Sequence, residues 1–466
     1  MKKSLSIVLS LSLISIAALV AQDSIVITLI DKGGKGAMAV PEFRGSAEAQ
    51  TLMSVFNTNL WDELEGSGLF RMVPRTSYPL NVPQRPEDWL PEESRAATAS
   101  SRPGTPAATA ATRELGKRLR DWSGPPVSAA YMPIGYTAVQ SGRLVLYGWL
   151  YNVSQPDTAN AQVFGKVYNA SLDETGARDI ARQFASDILQ RFGATSLMGS
   201  KIIFVSTRTG SKEIWSMDYD GSNQKAVTSY KSISTTPAVA PDGSKVAFTG
   251  FVRNKPEILV HSLLTSRRLP FYNQDASLNA TPAFTPDGNN ILFASTAGGG
   301  YAQIYMCNSD GRNLRRITSV RAVEVEPKVN PKNPSEVVFV SGRSGPQQIY
   351  RMNIEGTDIT RLTSGEGEAS NPSWHPEGQH IAFAWTRGFE PGNFNIFVMD
   401  VASRRVDQLT HGAGRNENPT WAPDGKHLVF SSRRGGRTQI YTMLADGTQI
   451  KQLTMQGDNT MPVWSK

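Results

Sequence analysis

The side chains able to do chemistry are few, and their spacing argues against a reaction centre. The five histidines, His261, His375, His380, His411 and His427, are scattered and fall into no metal-ligand spacing. His375 stands just before a turn segment, a place that suits a surface or turn-forming side chain better than a ligand. No Gly-x-Ser-x-Gly elbow occurs, which removes the common hydrolase nucleophile. Gly33-Gly34-Lys35-Gly36 lacks the spacing and the Ser/Thr of a phosphate loop and reads as a link. Cys307, the single cysteine, cannot form an internal disulfide; it follows Ile304-Tyr305-Met306 on an expected strand, where burial as a small apolar residue is expected. Asp242, Asp287 and Asp424 each sit within Pro-Asp-Gly and are expected to shape turns. No catalytic residue, cofactor site or metal site is therefore expected. What remains is a polar set that recurs ahead of a repeated proline: Ile233–Thr236, Ser277–Thr281, Val323–Glu326, Glu368–Asn371, Arg415–Asn418 and Gly457–Met461. Such side chains either grip a protein loop or ligand, or merely hydrate the surface on which they lie.

The elements that position this set are written as a repeat. Pro237, Pro282, Pro327, Pro372, Pro419 and Pro462 open equivalent units at intervals of 45, 45, 45, 47 and 43 residues. Each unit reads as four short strands separated by turns, the grammar of a propeller blade. Pro-Asp-Gly recurs at 241–243, 286–288 and 423–425, with Pro-Glu-Gly at 376–378, while one unit departs with Pro331-Lys332-Asn333-Pro334. Phe204, Phe248, Phe293, Phe339, Phe383 and Phe430 hold one equivalent place and read as blade cores, each contributing about 1.5–3 kcal/mol on burial. The repeat begins at Lys201 with a second strand that has no first, and the chain ends in a first strand that has no successors. Pairing Pro462–Trp464 with the sheet of residues 201–228 would close the ring and remove two open sheet edges. First strands lie nearest the axis of a propeller, so the polar set should crowd one mouth of the channel.

The grammar differs before residue 198. Residues 1–21 combine Lys2 and Lys3 with an apolar run ending in small residues, as a secretory signal peptide does, with cleavage expected after Ala21 and an uncleaved anchor as the alternative. Residues 22–197 read as a small α/β domain. Strands are expected at 24–30, 37–43, 69–73, 142–153 and 161–170. One helix is expected after Ser46 as cap, with Leu52, Phe56, Leu60 and Leu64 on one face and Gly66 and Gly68 ending it. A second helix over 173–192 buries Ile180, Phe184 and Ile188. Between them, a Pro/Ala/Ser/Thr-rich stretch around 80–120 reads as a long exposed insertion. The net charge of +7 lacks the dense Lys/Arg stripe and stacking aromatics expected of a nucleic-acid binder.

Several stretches together resemble the TolB family of the Tol-Pal system: Ala37–Phe43, Leu60–Val73, Gly142–Val153, the second helix, and Ser200–Thr228 leading into the propeller. The resemblance implies an α/β small domain followed by an all-β six-bladed propeller over residues 198–466, closed by the C-terminal strand. It further implies a non-enzymatic periplasmic adaptor that binds the peptidoglycan-associated lipoprotein Pal through the propeller and TolA through the N-terminal segment. That role supports outer-membrane integrity and constriction at cell division. Carried over by motif, the lipoprotein contacts are Asn279, Thr281, Glu326, Asn371, Asn418 and Asn459. Residues 22–30 occupy the place of the TolA-binding segment; their alternation suits an added strand or an ordinary internal one equally. The insertion around 80–120 and the Pro331 turn depart from the family pattern. A propeller enzyme or small-ligand binder using the central channel is the alternative.

Overall fold

The structure, a computed structural model, describes residues 36–92, 115–251, 254–388, 392–412 and 414–465. The expected signal peptide, the segment 22–30 and the middle of the insertion lie outside the described residues. Two compact units emerge, meeting in sequence between Met198 and Gly199.

In the N-terminal unit, β1 (Gly36–Met38), β2 (Arg44–Gly45), helix α1 (Met53–Gly66), β3 (Phe70–Met72), β4 (Tyr131–Gln140), β5 (Arg143–Asn152), β6 (Gln162–Ser171) and helix α2 (Glu174–Arg191) build one sheet with helices against one face. Sheet order is β3-β1-β4-β5-β6, and β2 also pairs with β4. The helical face works as the periodicity predicts: Phe56, Leu60 and Leu64 of α1 and Ile180, Phe184 and Ile188 of α2 are buried together over Leu144, Leu146 and Leu150. Gly148 makes this packing possible, because a Cβ there would stand 3.0 Å from the Phe184 ring. Asp173 caps α2 by accepting the Gly176 N–H at 2.7 Å. Ser46 makes no such bond; the chain first runs through a 3-10 turn over Ala47–Leu52 before α1 begins.

Two expectations are corrected here. Residues 131–140 form a central strand rather than an irregular link. Pro133, which argues against a central strand, falls in a gap: β1 pairs with β4 at Tyr131 and β2 pairs with it at Tyr136 and Thr137, so no neighbour needs an N–H from residue 133. The ends of the Pro/Ala-rich stretch are only partly exposed: Leu80 and Leu115 lie open to solvent, but other large side chains there are buried. Trp89, Leu119 and Trp122 are buried with Ile134, Met132 and Tyr151 in a second core on the other side of the sheet. The Trp122 indole donates to the Gly116 carbonyl at 2.8 Å, which anchors the returning chain.

The C-terminal unit is a six-bladed β-propeller of four-stranded antiparallel sheets. Blade 1 starts with Ser234–Val239, blade 2 with Asn279–Phe284, blade 3 with Glu324–Val329, blade 4 with Ala369–Trp374, blade 5 with Arg415–Trp421 and blade 6 with Asn459–Ser465. The six repeated phenylalanines are buried in the second strands. Cys307 is buried as well, and burial pushes its thiol up to about 12, the nearby Asp310 charge adding to this. The turn aspartates bond as expected: Asp242, Asp287 and Asp424 accept the N–H groups of Ser244, Asn289 and Lys426. In the departing turn of blade 3 Asn330 takes over this task, its Oδ1 accepting from Lys332 and Asn333 while its Nδ2 donates to Gly378 O of blade 4 at 2.9 Å.

A second repeated device ties each outer strand inward. Thr228, Thr318, Thr363, Thr410 and Thr454 each accept, at 2.9 Å, the N–H of an isoleucine fourteen residues upstream. In blade 1 the Asn273 amide does the same for Ile258, at 2.8 Å in both directions. The ring closes as predicted. Asn459 pairs with Ser206, Trp464 with Ile202 and Ser465 with Lys201, so the end of the chain supplies the first strand of the sheet begun at Lys201.

Candidate functional site

The first strands of the blades surround a cavity of about 300 Å³ along the propeller axis. Each of these strands is interrupted by a bulge at the same place, between Thr235 and Ala238, Ala280 and Ala283, Val325 and Lys328, Ser370 and Ser373, Glu417 and Thr420, and Thr460 and Val463. At every bulge the residue before the repeated proline adopts a left-handed conformation: φ is +48° at Thr236, +52° at Thr281, +54° at Glu326, Asn371 and Asn418, and +51° at Met461. None is glycine, and a following proline restricts the backbone further. Such a conformation costs about 1–3 kcal/mol per residue and persists where the surroundings impose it, commonly at ligand clamps. The bulges re-aim six side chains onto the channel, which all six line.

Hydrogen bonds run from blade to blade around this ring. The Thr236 N–H points to the Met461 sulfur at 3.3 Å, and the Thr281 N–H to Thr249 Oγ1, itself bonded to the Thr236 hydroxyl. The Glu326 N–H donates to Thr281 Oγ1, the Asn371 N–H to Glu326 Oε2 at 2.6 Å, and the Asn418 N–H to Asn371 Oδ1. The Asn371 amide also donates to Glu326 Oε1, so both oxygens of that carboxylate are held. Burial pushes the Glu326 carboxyl up from its ordinary value, and the Asn371 hydrogen bonds and the Lys328 charge act against this. Burial likewise pushes the Lys328 ammonium down, opposed by the Glu326 charge.

Of the six residues assigned by motif, Thr281, Glu326, Asn371 and Asn418 lie on the channel. Asn279 and Asn459 do not: they are 1% and 0% exposed, two residues ahead of the bulge, and engaged within the blades. Asn279 accepts from Ser295 Oγ and donates to Gln274 O; Asn459 donates to Gln439 Oε1 and accepts from Arg208. Thr236 and Met461 complete the ring and were missed, although the residue directly before each repeated proline was the available signal. His375 is a turn residue, its Nδ1 accepting the Glu377 N–H, but it is buried rather than on the surface, with Nε2 2.9 Å from Gly425 O of blade 5. Among the described residues no group of three or more His, Cys, Asp or Glu could hold a metal ion.

A six-bladed propeller whose channel is ringed by strained, mostly polar side chains defines a class of β-propeller protein. The family model described as the TolB beta propeller domain matches residues 189–388 and 364–466. The chain belongs to the TolB family. The Protein TolB homolog of Chlorobium chlorochromatii is 34% identical over 142 residues, covering 30% of this chain and 31% of that protein. The Tol-Pal system protein TolB of Desulfosudis oleivorans is 29% identical over 154 residues, covering 33% and 34%. The chain thus matches about a third of the length of these relatives. The crystal structure of TolB from Acinetobacter baumannii shares the fold over 93% of this chain and 97% of its own, with a TM-score of 0.71 at 21% identity.

Proposed function

We propose that the protein is a non-enzymatic periplasmic adaptor that receives a loop of the lipoprotein Pal at the ringed end of its propeller channel and contacts TolA through its N-terminal segment, in support of outer-membrane integrity and constriction during division. The observation that carries this reading is the ring of six left-handed bulges. Strain maintained at six equivalent places, where extended backbone would fold at lower cost, turns side chains toward an arriving partner. The names of the relatives, which belong to the Tol-Pal system, supply the partner class. The N-terminal contact rests on family resemblance. The channel offers hydrogen-bonding groups and one carboxylate already held by Asn371, which suits recognition better than proton transfer.

The test is capture of the periplasmic domain of Pal by the purified mature chain. Thr281→Arg and Glu326→Arg, which place a bulky cation in the ring, are expected to abolish capture, with calorimetry showing that each variant, though it loses a bond between blades, keeps a cooperative propeller transition. Capture that survives both substitutions would move the site elsewhere, and turnover of a small substrate without capture would favour a channel enzyme.

A further inference from the structure

One step below the bulged ring, the residues just after the repeated prolines form a second ring: Ala238, Ala283, Lys328, Ser373, Thr420 and Val463. Five are short, and the sixth is a lysine. Glu326 and Lys328 are the only charged residues among those lining the cavity. The two are not equivalent. Glu326 has both oxygens engaged by Asn371, and Glu417, whose charge also reaches Glu326, is paired with Arg415 at 2.6 Å. The Lys328 ammonium makes no hydrogen bond or ion pair with any described residue, although its own backbone carbonyl is held by the Trp374 indole at 3.0 Å. The side-chain NH₂ of Asn418 likewise has no acceptor among the described residues, its Oδ1 accepting from Ser431. The channel therefore contains an ammonium that no hydrogen bond holds and that only the Glu326 charge reaches, while both oxygens of that carboxylate are held by Asn371.

We infer that Lys328 is a specificity-determining residue that receives a carboxylate, carried by an Asp or Glu side chain on the partner loop that enters the bulged ring. This rests on the adaptor reading and adds to it the chemistry of the tip of the partner. A cation in a narrow channel gains an ion pair that is screened less than one on an open surface. Short neighbours in the second ring leave room for the incoming side chain, and the Asn418 amide lines the same cavity. Burial pushes the Lys328 ammonium down against the opposing Glu326 charge, a displacement that an arriving carboxylate would reduce further.

Two arms test this and keep it separate from the adaptor reading. In the first, acetate is titrated into the mature chain with isotope-labelled lysines, and the Lys328 side-chain resonance is assigned from its loss in Lys328→Met. A saturable shift of that resonance, absent with tetramethylammonium, is expected; no saturable shift overturns the inference. In the second, the periplasmic domain of Pal is bound to wild type, Lys328→Met, Lys328→Glu and Lys328→Arg. The first two substitutions are expected to weaken binding by about tenfold or more, as for other desolvated charge pairs, with Lys328→Arg largely retaining it and all three melting like wild type. Equal affinity for Lys328→Met overturns the assignment of the lysine to the partner. Absence of binding by wild type refutes the adaptor, while the acetate arm still decides whether Lys328 takes carboxylates.

Discussion

Trp464→Ala tests how much the propeller depends on its closing strand. The Trp464 side chain is buried at the seam, pairs across from Ile202, and donates from its indole to Ser200 Oγ at 2.9 Å. Truncating a buried tryptophan costs about 3–5 kcal/mol. For a unit of this size each kcal/mol lowers the midpoint by about 2–4 °C, so the propeller transition should fall by roughly 6–20 °C. The assay is differential scanning calorimetry of the mature chain, in which the N-terminal unit provides an internal reference. Deleting residues 459–466 removes the whole strand and its pairing with Lys201–Ser206, and should abolish the cooperative propeller transition. A fall of less than about 2 °C for Trp464→Ala, or a truncated chain that melts like wild type, would refute the reasoning.

Other outcomes follow from the same geometry. Asp424 tests pH dependence: burial alone would raise its carboxyl, yet the His427 imidazole at 2.6 Å and the N–H groups of Lys426 and His427 together hold it below its ordinary value. A depressed carboxyl contributes stability that is present above the unfolded value and lost as pH falls through the folded one. Asp424→Asn should therefore cost about 1–3 kcal/mol near neutrality, and the gap in melting midpoint to wild type should narrow as pH falls below about 4. Asn330→Ala removes the acceptor of two turn N–H groups and the donor to blade 4, with an expected loss of about 1–3 kcal/mol in urea unfolding. Phe184→Ala should lower the transition of the N-terminal unit by about 3–5 kcal/mol while leaving the propeller transition unchanged, as calorimetry would show.

The repeat made the propeller legible because blade packing depends on local, regularly spaced features: a phenylalanine in each second strand, a turn with Gly at positive φ, and a terminal strand lacking its sheet. Helices α1 and α2 were legible for the same reason, since the buried stripe of each follows the helical period. Strand β4 was not, because Pro133 is tolerated through a gap between β1 and β2, two neighbours that lie far upstream of it in sequence. Trp89 and Leu119 were hidden in a stretch whose composition signals exposure, although two large apolar side chains at its ends suffice to anchor it. At the channel the polar character of the first strands was visible, but polarity alone does not separate Asn418, turned inward by a bulge, from Asn459, turned into the blade. That distinction is made by the backbone, and its trace in the sequence is the position immediately before proline.

The place where a partner touches the ring is the most direct test of the adaptor role. Amide hydrogen exchange of the mature chain with and without the periplasmic domain of Pal should show protection concentrated at the first strands of the blades, around Thr236, Thr281, Glu326, Asn371, Asn418 and Met461, with the outer strands unchanged. Protection confined to outer strands or to the N-terminal unit, or no protection under saturating partner, would contradict it.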